Sequence, residues 1–395
     1  MHILIIPSER YLPTDEPLSG IFQSDQAFAL QRAGARIGIL SVELQSLYLL
    51  KMLIQEWVAG QSVSVEDGIK VYRHFGWFLT QFLPRSNMKK YLYAGIRLYD
   101  RYLSEQGAPN LIHAHNALRA GILAAEINKR YGVPYIITEH SSDYSKRAIR
   151  KSDFNWIRQA YLDADRCLVV SRNLGTILEN YFGDQIGSWQ VIPNMLDSIF
   201  EKIDTLTEHN GHKNFTFLNV GRLVEVKRQD LLITAFSRNF RMRKNICLRI
   251  VGDGPRLRDL KKIANEAGVS EQVTFTGEVG RAEVLTEMQN CDVYVHCSSS
   301  ETFGVSIIEA MACGKPVVST ACGGPDDLVT PDSGKLVPVG DIESLATSME
   351  SVLTHLDSYK GTRIRKLCLE RFSGHVVSEA LMAIYRDVLQ KKKRG

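Results

Sequence analysis

Short apolar runs alternate with longer amphipathic stretches along almost the whole chain. "HILIIP" (2–7) is followed by "SDQAFALQRAG" (24–34), whose apolar positions recur at helical spacing and whose Gly34 supplies a helix stop. "RIGIL" (36–40) reads as the next strand, then "LIHAH" (111–115), "YIITEH" (135–140), "RCLVVS" (166–171) and "WQVIP" (189–193). The segments between, such as "ALRAGILAAEINKRYG" (117–132), carry helix periodicity. Strands with little polar alternation are buried on both faces, which predicts a parallel sheet flanked by helices.

The rhythm restarts after the polar stretch "DTLTEHNGHKN" (204–214). New strands are expected at "FTFLNVGR" (215–222), "CLRIVGDG" (247–254), "VTFTG" (273–277), "DVYVHCSS" (292–299), "PVVST" (316–320) and "GKLVP" (334–338). The expectation is two doubly wound α/β domains, 1–195 and 196–375, with a break near residues 194–213. The last helical pattern, "VVSEALMAIYRDVLQ" (376–390), exceeds what the second sheet needs, so a helix over about 376–395 is expected to cross back onto the first domain. In open α/β sheets ligands bind beyond the carboxyl ends of the strands, and two such domains would face a shared cleft.

A length of 395 residues is more than one core usually serves, which agrees with two domains. A net charge of +4 with 23% charged residues gives no reason to invoke nucleic acid. No run reaches the roughly 18 apolar residues of a membrane-spanning helix. Pro7 interrupts the first apolar run too early for a secretory leader. The seven cysteines form no CxxC pair, which reads as reduced, buried thiols in a cytoplasmic protein.

Unusual residues cluster just after strands. In "NVGRLVEVKRQDLLITAF" (219–236), Gly221 and Arg222 turn out of a strand and Lys227 precedes a helix. Two cations flanking a helix N-terminus suit a diphosphate, although a solvated basic turn would look the same. "IVGDGP" (250–255) lacks the GxGxxG spacing of a dinucleotide site. In "SSSETFGVSIIEA" (298–310), Glu301 falls on a loop and Glu309 about two turns into an apolar helix. Backbone N–H groups at Phe303 and Gly304 would meet an oxyanion at that helix start. A carboxylate at Glu309 needs a partner. That partner is either a structural Arg or Lys, or a hydroxylated ligand gripped by both glutamates.

These segments together resemble family 4 of the retaining glycosyltransferases, which has the two-domain GT-B fold. "ETFGVSIIE" matches the family's E-x7-E motif, and "NVGRLVEVKRQDLLITAF", "VGDGP" and "CGKPVVST" match in order through residues 215–340. In the first half "SGIFQSDQAFAL" (19–30), "TEHSSDY" (138–144) and "VVS" (169–171) are similar to it. The resemblance implies that Glu301 holds hydroxyls of a donor sugar and Glu309 the ribose of its nucleotide. It implies that Arg222 and Lys227 neutralise the departing diphosphate, with Gly221, just before Arg222, on the same donor-binding turn. Thr302, Phe303 and Gly304 would offer backbone contacts, Gly254, Gly277 and Glu278 would line the nucleobase pocket, Gly20 would approach the diphosphate, and His140 would face the donor sugar. Two departures stand out: Met195 in "IPNMLD" (192–197) where the family commonly carries Gly, and a single glycine in "ERYLPTDEPLSGIF" (9–22) rather than a pair.

The implied activity is metal-independent, retaining transfer of a hexose-type sugar in bacterial polysaccharide biosynthesis. The expected donor is a UDP-sugar, with GDP-mannose next. No cofactor and no metal is expected, since cations can stabilise the leaving phosphate and "PDD" (325–327) looks like a helix start. The acceptor is expected to be a glycan, lipid-linked at the inner face of the plasma membrane. "SLYLLKMLIQEWV" (46–58) and "NMKKYLYAGIRLYDRYL" (87–103), with the terminal "KKKR" (391–394), could contact an anionic membrane, or be ordinary core-facing helices. A nucleotide-sugar epimerase, an inverting enzyme with His140 as base, or a non-catalytic glycan-binding subunit are the alternatives; release of a nucleoside diphosphate separates them.

Overall fold

A computed structural model describes residues 1–12, 20–46, 60–78, 84–183, 186–206 and 214–394. All but the first residue of the helix expected in 46–58, residues 13–19 of the loop at 9–22 and residues 207–213 of the interlude lie outside the described residues. The chain divides into two compact units. One takes the chain up to Val170, Leu174–Met195 and everything from Gly374 onward; the other takes Ser171–Asn173 and Leu196–Ser373.

The first unit holds the strands β1 (His2–Ile6), β2 (Arg36–Ser46), β3 (Gly60–Glu66), β4 (Ile69–Phe78), β5 (Leu111–His115), β6 (Tyr135–Glu139), β7 (Arg166–Val169) and β8 (Gln190–Val191). Between them run α1 (Ile21–Arg32), α2 (Pro84–Gln106), α3 (Ile122–Tyr131), α4 (Lys151–Leu162) and α5 (Arg172–Phe182). Their order in the sheet is β3-β4-β2-β1-β5-β6-β7-β8. All pairs are parallel except β3 with β4, which form an antiparallel hairpin at the edge. The sequence reading missed this hairpin, and expected α1 to start three residues later than it does.

The second unit opens with α6 (Ser198–Glu201) and contains β9 (Phe215–Val220), β10 (Ile246–Val251), β11 (Val273–Gly277), β12 (Val293–His296), β13 (Val317–Thr320) and β14 (Gly334–Val337). Its helices are α7 (Gln229–Phe240), α8 (Leu257–Glu266), α9 (Arg281–Asn290), α10 (Val305–Ala312), α11 (Gly324–Leu328), α12 (Ile342–Thr354) and α13 (Gly361–Phe372). The sheet is wholly parallel, in the order β11-β10-β9-β12-β13-β14. Its core is built on Phe217, Phe236, Phe240, Leu248 and Val295.

The last helix, α14 (Gly374–Arg394), belongs to the first unit. Val377, Leu381, Ile384 and Tyr385 pack into the same cluster as Ile3, Ile5, Ile37 and Leu168. Each unit is thus a doubly wound α/β sheet, parallel apart from the β3–β4 hairpin, as the two-domain expectation required. All seven cysteines are free, and six are buried. Among the described residues no helix is long and apolar enough to cross a membrane.

Candidate functional site

The parallel strand order switches direction between β9 and β12 in the second unit and between β1 and β5 in the first. Loops part at such a point and leave room for a ligand. Of the predicted residues, Arg222 and Lys227 follow β9 and Glu301, Thr302 and Gly304 follow β12.

In the second unit the loop after β9 is held by its neighbour after β10. Gly221 N–H donates to Val251 O at 2.9 Å, and Leu223 N–H to Asp253 O at 2.8 Å. Gly254 permits this approach, since a Cβ there would lie 2.5 Å from Leu223 O. A single 3₁₀ turn, Glu225–Lys227, leads into α7. That turn rests on the end of β12: Ser299 N–H donates to Val226 O, and the Cys297 thiol to Lys227 O. The backbone therefore delivers Lys227 to Glu301, with Nζ 2.5 Å from Oε2. Arg222 is exposed, and its guanidinium makes no ion pair among the described residues.

Glu301 is fixed by its main chain. Its N–H donates to Cys322 O at 3.0 Å, and its carbonyl accepts from Gly324 N–H at 2.7 Å. Burial pushes its carboxyl upward, but Lys227, then His296, and the Thr302 N–H outweigh that, and it titrates below its ordinary value. His296 lies beneath, Nε2 3.7 Å from Glu301 Oε2. Burial first, then Lys227, pushes this imidazole down to about 4, so it is neutral at neutral pH. At neutral pH, among the described residues, Lys227 is thus the cationic partner of this carboxylate.

Gly304 caps α10 in the left-handed region (φ 106°), which frees the first N–H groups of the helix. The Phe303 side chain is buried edge-on against Phe372, so its contribution to a ligand is restricted to its backbone. Glu309 is buried one face inward, with Oε1 accepting from Arg281 Nη1 at 2.7 Å. Arg281 also grips Asp197. The structure therefore gives Glu309 the structural partner that the sequence left open. Gly277 accepts from Gly252 N–H, and exposed Glu278 follows β11, two strands from β9.

In the first unit Gly20 caps α1 in the left-handed region (φ 72°) and donates to Glu9 Oε1. A Cβ at Gly20 would lie 2.8 Å from Arg10 O. Phe22, on the first turn of α1, packs against the His140 ring at 4.9 Å. His140 Nε2 lies 2.9 Å from His115 Nδ1, and His115 stacks on His113. Burial pushes His140 down to about 4, so His140 is a neutral imidazole at neutral pH. The loop that carries it is moored by Glu139, whose buried carboxylate accepts from the N–H groups of Ala117, His140 and Ser141 and from Tyr161.

Also in this unit, a cavity of about 490 Å³ opens beyond β5 and β6. Leu44, Met88 and Tyr91 supply its apolar side, and Arg119, Arg150 and Asp153 its charged one. Arg119 lies in a π-type turn, Ala117–Gly121, with φ 69° and ψ −73°, a strained conformation for a residue with a side chain.

The structure brings Lys227, Glu301, Thr302 and Gly304 together, with Arg222 and Glu309 on flanking elements. Arg281, Asp197, His296, His115 and Glu139 were not anticipated. Asp197 carried a signal as a helix N-cap ahead of "SIF", whereas Arg281 and His296 carried none.

The family models for "Glycosyl transferases group 1" and "Glycosyltransferase Family 4" match residues 202–362 and 53–198. An N-acetyl-alpha-D-glucosaminyl L-malate synthase of Bacillus anthracis is 26% identical over 72% of this chain and 77% of its own. An alpha-monoglucosyldiacylglycerol synthase of Streptococcus pneumoniae is 24% identical over 73% and 70%. Among solved structures, Anabaena Alr3699/HepE in complex with UDP superposes with a TM-score of 0.72 at 19% identity, covering 98% of this chain and 100% of that one.

Proposed function

Because this chain belongs to glycosyltransferase family 4, we propose that it moves a hexose-type sugar from a UDP-sugar with retention of configuration, GDP-mannose being the second choice of donor. The observation that carries this reading is the Lys227–Glu301 pair at the β9/β12 switch point, beside the open start of α10. It sets a cation, a carboxylate and a helix N-terminus close together, which supports a reading in which one ligand meets all three.

In this reading the diphosphate lies against Lys227 and Arg222, with the α10 N-terminus adding its dipole. Glu301 accepts from sugar hydroxyls and Glu309 from the ribose. As the anomeric C–O bond breaks, negative charge grows on the β-phosphate, and preorganised cations stabilise it without a metal ion. The acceptor hydroxyl attacks from the face the phosphate leaves and passes its proton to a phosphate oxygen. Gly20 and His140 are assigned to the diphosphate and the sugar by their likeness to the family.

The acceptor is proposed to occupy the cavity of the first unit, where an apolar side next to arginine and aspartate suits an amphiphilic, lipid-linked glycan. The exposed face of α2, with Lys89, Lys90, Tyr93 and Arg97, would meet anionic lipid at the bacterial inner membrane. Flotation with vesicles rich in acidic lipid tests this: binding at low salt that fades at high salt is expected, and no binding at low salt defeats it. The activity itself is tested by incubation with a nucleotide-sugar panel and a lipid-linked glycan fraction. Acceptor-dependent nucleoside diphosphate release, with the product anomer read by NMR, supports the reading; an inverted anomer or an epimerised free nucleotide sugar refutes it.

A further inference from the structure

Arg281 is the first residue of α9, with its guanidinium between two carboxylates. Nη1 donates to Glu309 Oε1 at 2.7 Å, while Nε and Nη2 donate to Asp197 Oδ2 at 2.9 and 2.6 Å. Asp197 is itself held, because its Oδ1 accepts from Ile199 N–H and caps α6. The Phe200 ring covers the guanidinium at 5.4 Å. With three donors committed and one face covered, this arginine has little freedom.

Glu309 depends on it. The Glu309 side chain is 4% exposed, on a helix whose neighbouring residues Ile307, Ile308, Ala310 and Met311 are buried. A carboxylate in such surroundings takes up a proton unless a cation opposes it. Facing Glu309 are Arg281 from α9, Asp197 ahead of α6, Tyr294 from β12 and Cys313 at the end of its own helix. The Tyr294 hydroxyl is turned to Ser306. Arg281 alone among these is cationic. Burial pushes the Glu309 carboxyl up and Arg281 pulls it back, with a net shift that is still upward. Loss of Arg281 would leave burial and Asp197 unopposed.

We propose that Arg281 is the positioning residue for nucleotide recognition: it occupies one oxygen of Glu309, keeps the group ionised and aimed, and leaves the second oxygen to accept from a ribose hydroxyl. The inference rests on the reading that Glu309 holds the ribose. An ionised acceptor rewards a ribose hydroxyl; a protonated, rotating one does so much less.

The test compares binding of UDP with binding of 2′-deoxy-UDP by calorimetry between pH 6 and 8.5 (GDP and its 2′-deoxy counterpart if GDP binds more tightly). The ratio of the two affinities cancels the titration of the phosphates. The wild-type protein is expected to favour the ribonucleotide at least tenfold across this range. Arg281→Met should lose that preference at pH 6 and regain most of it by pH 8.5. Arg281→Lys should keep it at both. Glu309→Gln should lose it throughout. A Glu309→Gln protein that discriminates as the wild type does refutes the ribose reading. If Glu309→Gln loses discrimination but Arg281→Met retains it at pH 6, or loses it equally at every pH, the ribose reading stands and the role of Arg281 falls. Arg281→Gln, which keeps a donor without the charge, replaces Arg281→Met should the latter not fold.

Discussion

Lys227 Nζ and Glu301 Oε2 are 2.5 Å apart, joining the loop after β9 to the loop after β12 across the reversal of the second sheet. A diphosphate that binds here competes with Glu301 for the same ammonium. In the proposed reading the pair would hold the cation in place before the substrate arrives and yield part of it afterwards.

Removal of the cation should show in the chemistry. Lys227→Ala is expected to lower kcat/KM by about 10²–10³-fold, corresponding to ~3–4 kcal/mol for one lost electrostatic donor. Lys227→Ala/Glu301→Ala should cost less than the sum of the single losses, because the two share one interaction. Steady-state kinetics on the four proteins decide this; strict additivity would mean that the groups act separately.

Acid should weaken the fold in a defined window. Burial pushes His113 down to about 3 and His296 down to about 4, from 6.5. Below pH 6.5 the unfolded chain binds protons that the native imidazoles refuse, so stability falls as pH drops from 6.5 toward 4. The melting temperature should decline over that range, and His296→Asn should flatten part of the slope. A melting temperature that does not change between pH 7 and 4.5 would contradict the burial of these rings.

Glu139 should matter to stability, because it moors the loop that carries His140. Glu139→Ala strands the buried N–H of Ala117 and takes the carboxylate acceptor from the part-buried N–H groups of His140 and Ser141 and from the Tyr161 hydroxyl, which keeps Tyr144 Oη at 3.1 Å. An expected loss of about 3 kcal/mol or more in urea unfolding follows from orphaned donors at 1–3 kcal/mol each. A stability within experimental error of the wild type would show that water reaches these groups.

Gly254 separates packing from ligand contact. Gly254→Ala brings a methyl to 2.5 Å from Leu223 O and must displace the loop that carries Arg222. A loss of about 1–3 kcal/mol in stability is expected, together with weaker nucleotide binding measured by calorimetry. Lost binding at full stability would instead make this glycine a direct neighbour of the base.

The sequence was most readable where chemistry sits at the end of a buried strand. Lys227 and Glu301 stand out because short aliphatic runs announce β9 and β12, and whatever follows must emerge at their carboxyl edge. Arg281 was hidden because nothing local marks it: its partners come from 28 positions onward and 84 positions back, and a helix's first residue is ordinarily solvated. His113 and His115 were absorbed into a strand read as uniformly apolar. The β3–β4 hairpin was missed although its signals were present. Ser and Val alternate in "SVSV" (62–65), and Asp67-Gly68, both with positive φ, is the dipeptide that suits a tight hairpin turn. The expectation of helices between parallel strands outweighed the period of two.

Because α14 completes the first unit, the N-terminal sheet is left with an uncovered flank until some 370 later residues have left the ribosome. The second unit carries no such debt to distant sequence, and can close on its own core as soon as α13 emerges. The half that is made first is thus finished last, and a nascent chain that stalls before Gly374 would lack Val377, Leu381, Ile384 and Tyr385 from the cluster that holds Ile3, Ile5 and Ile37, a gap open to chaperones and proteases.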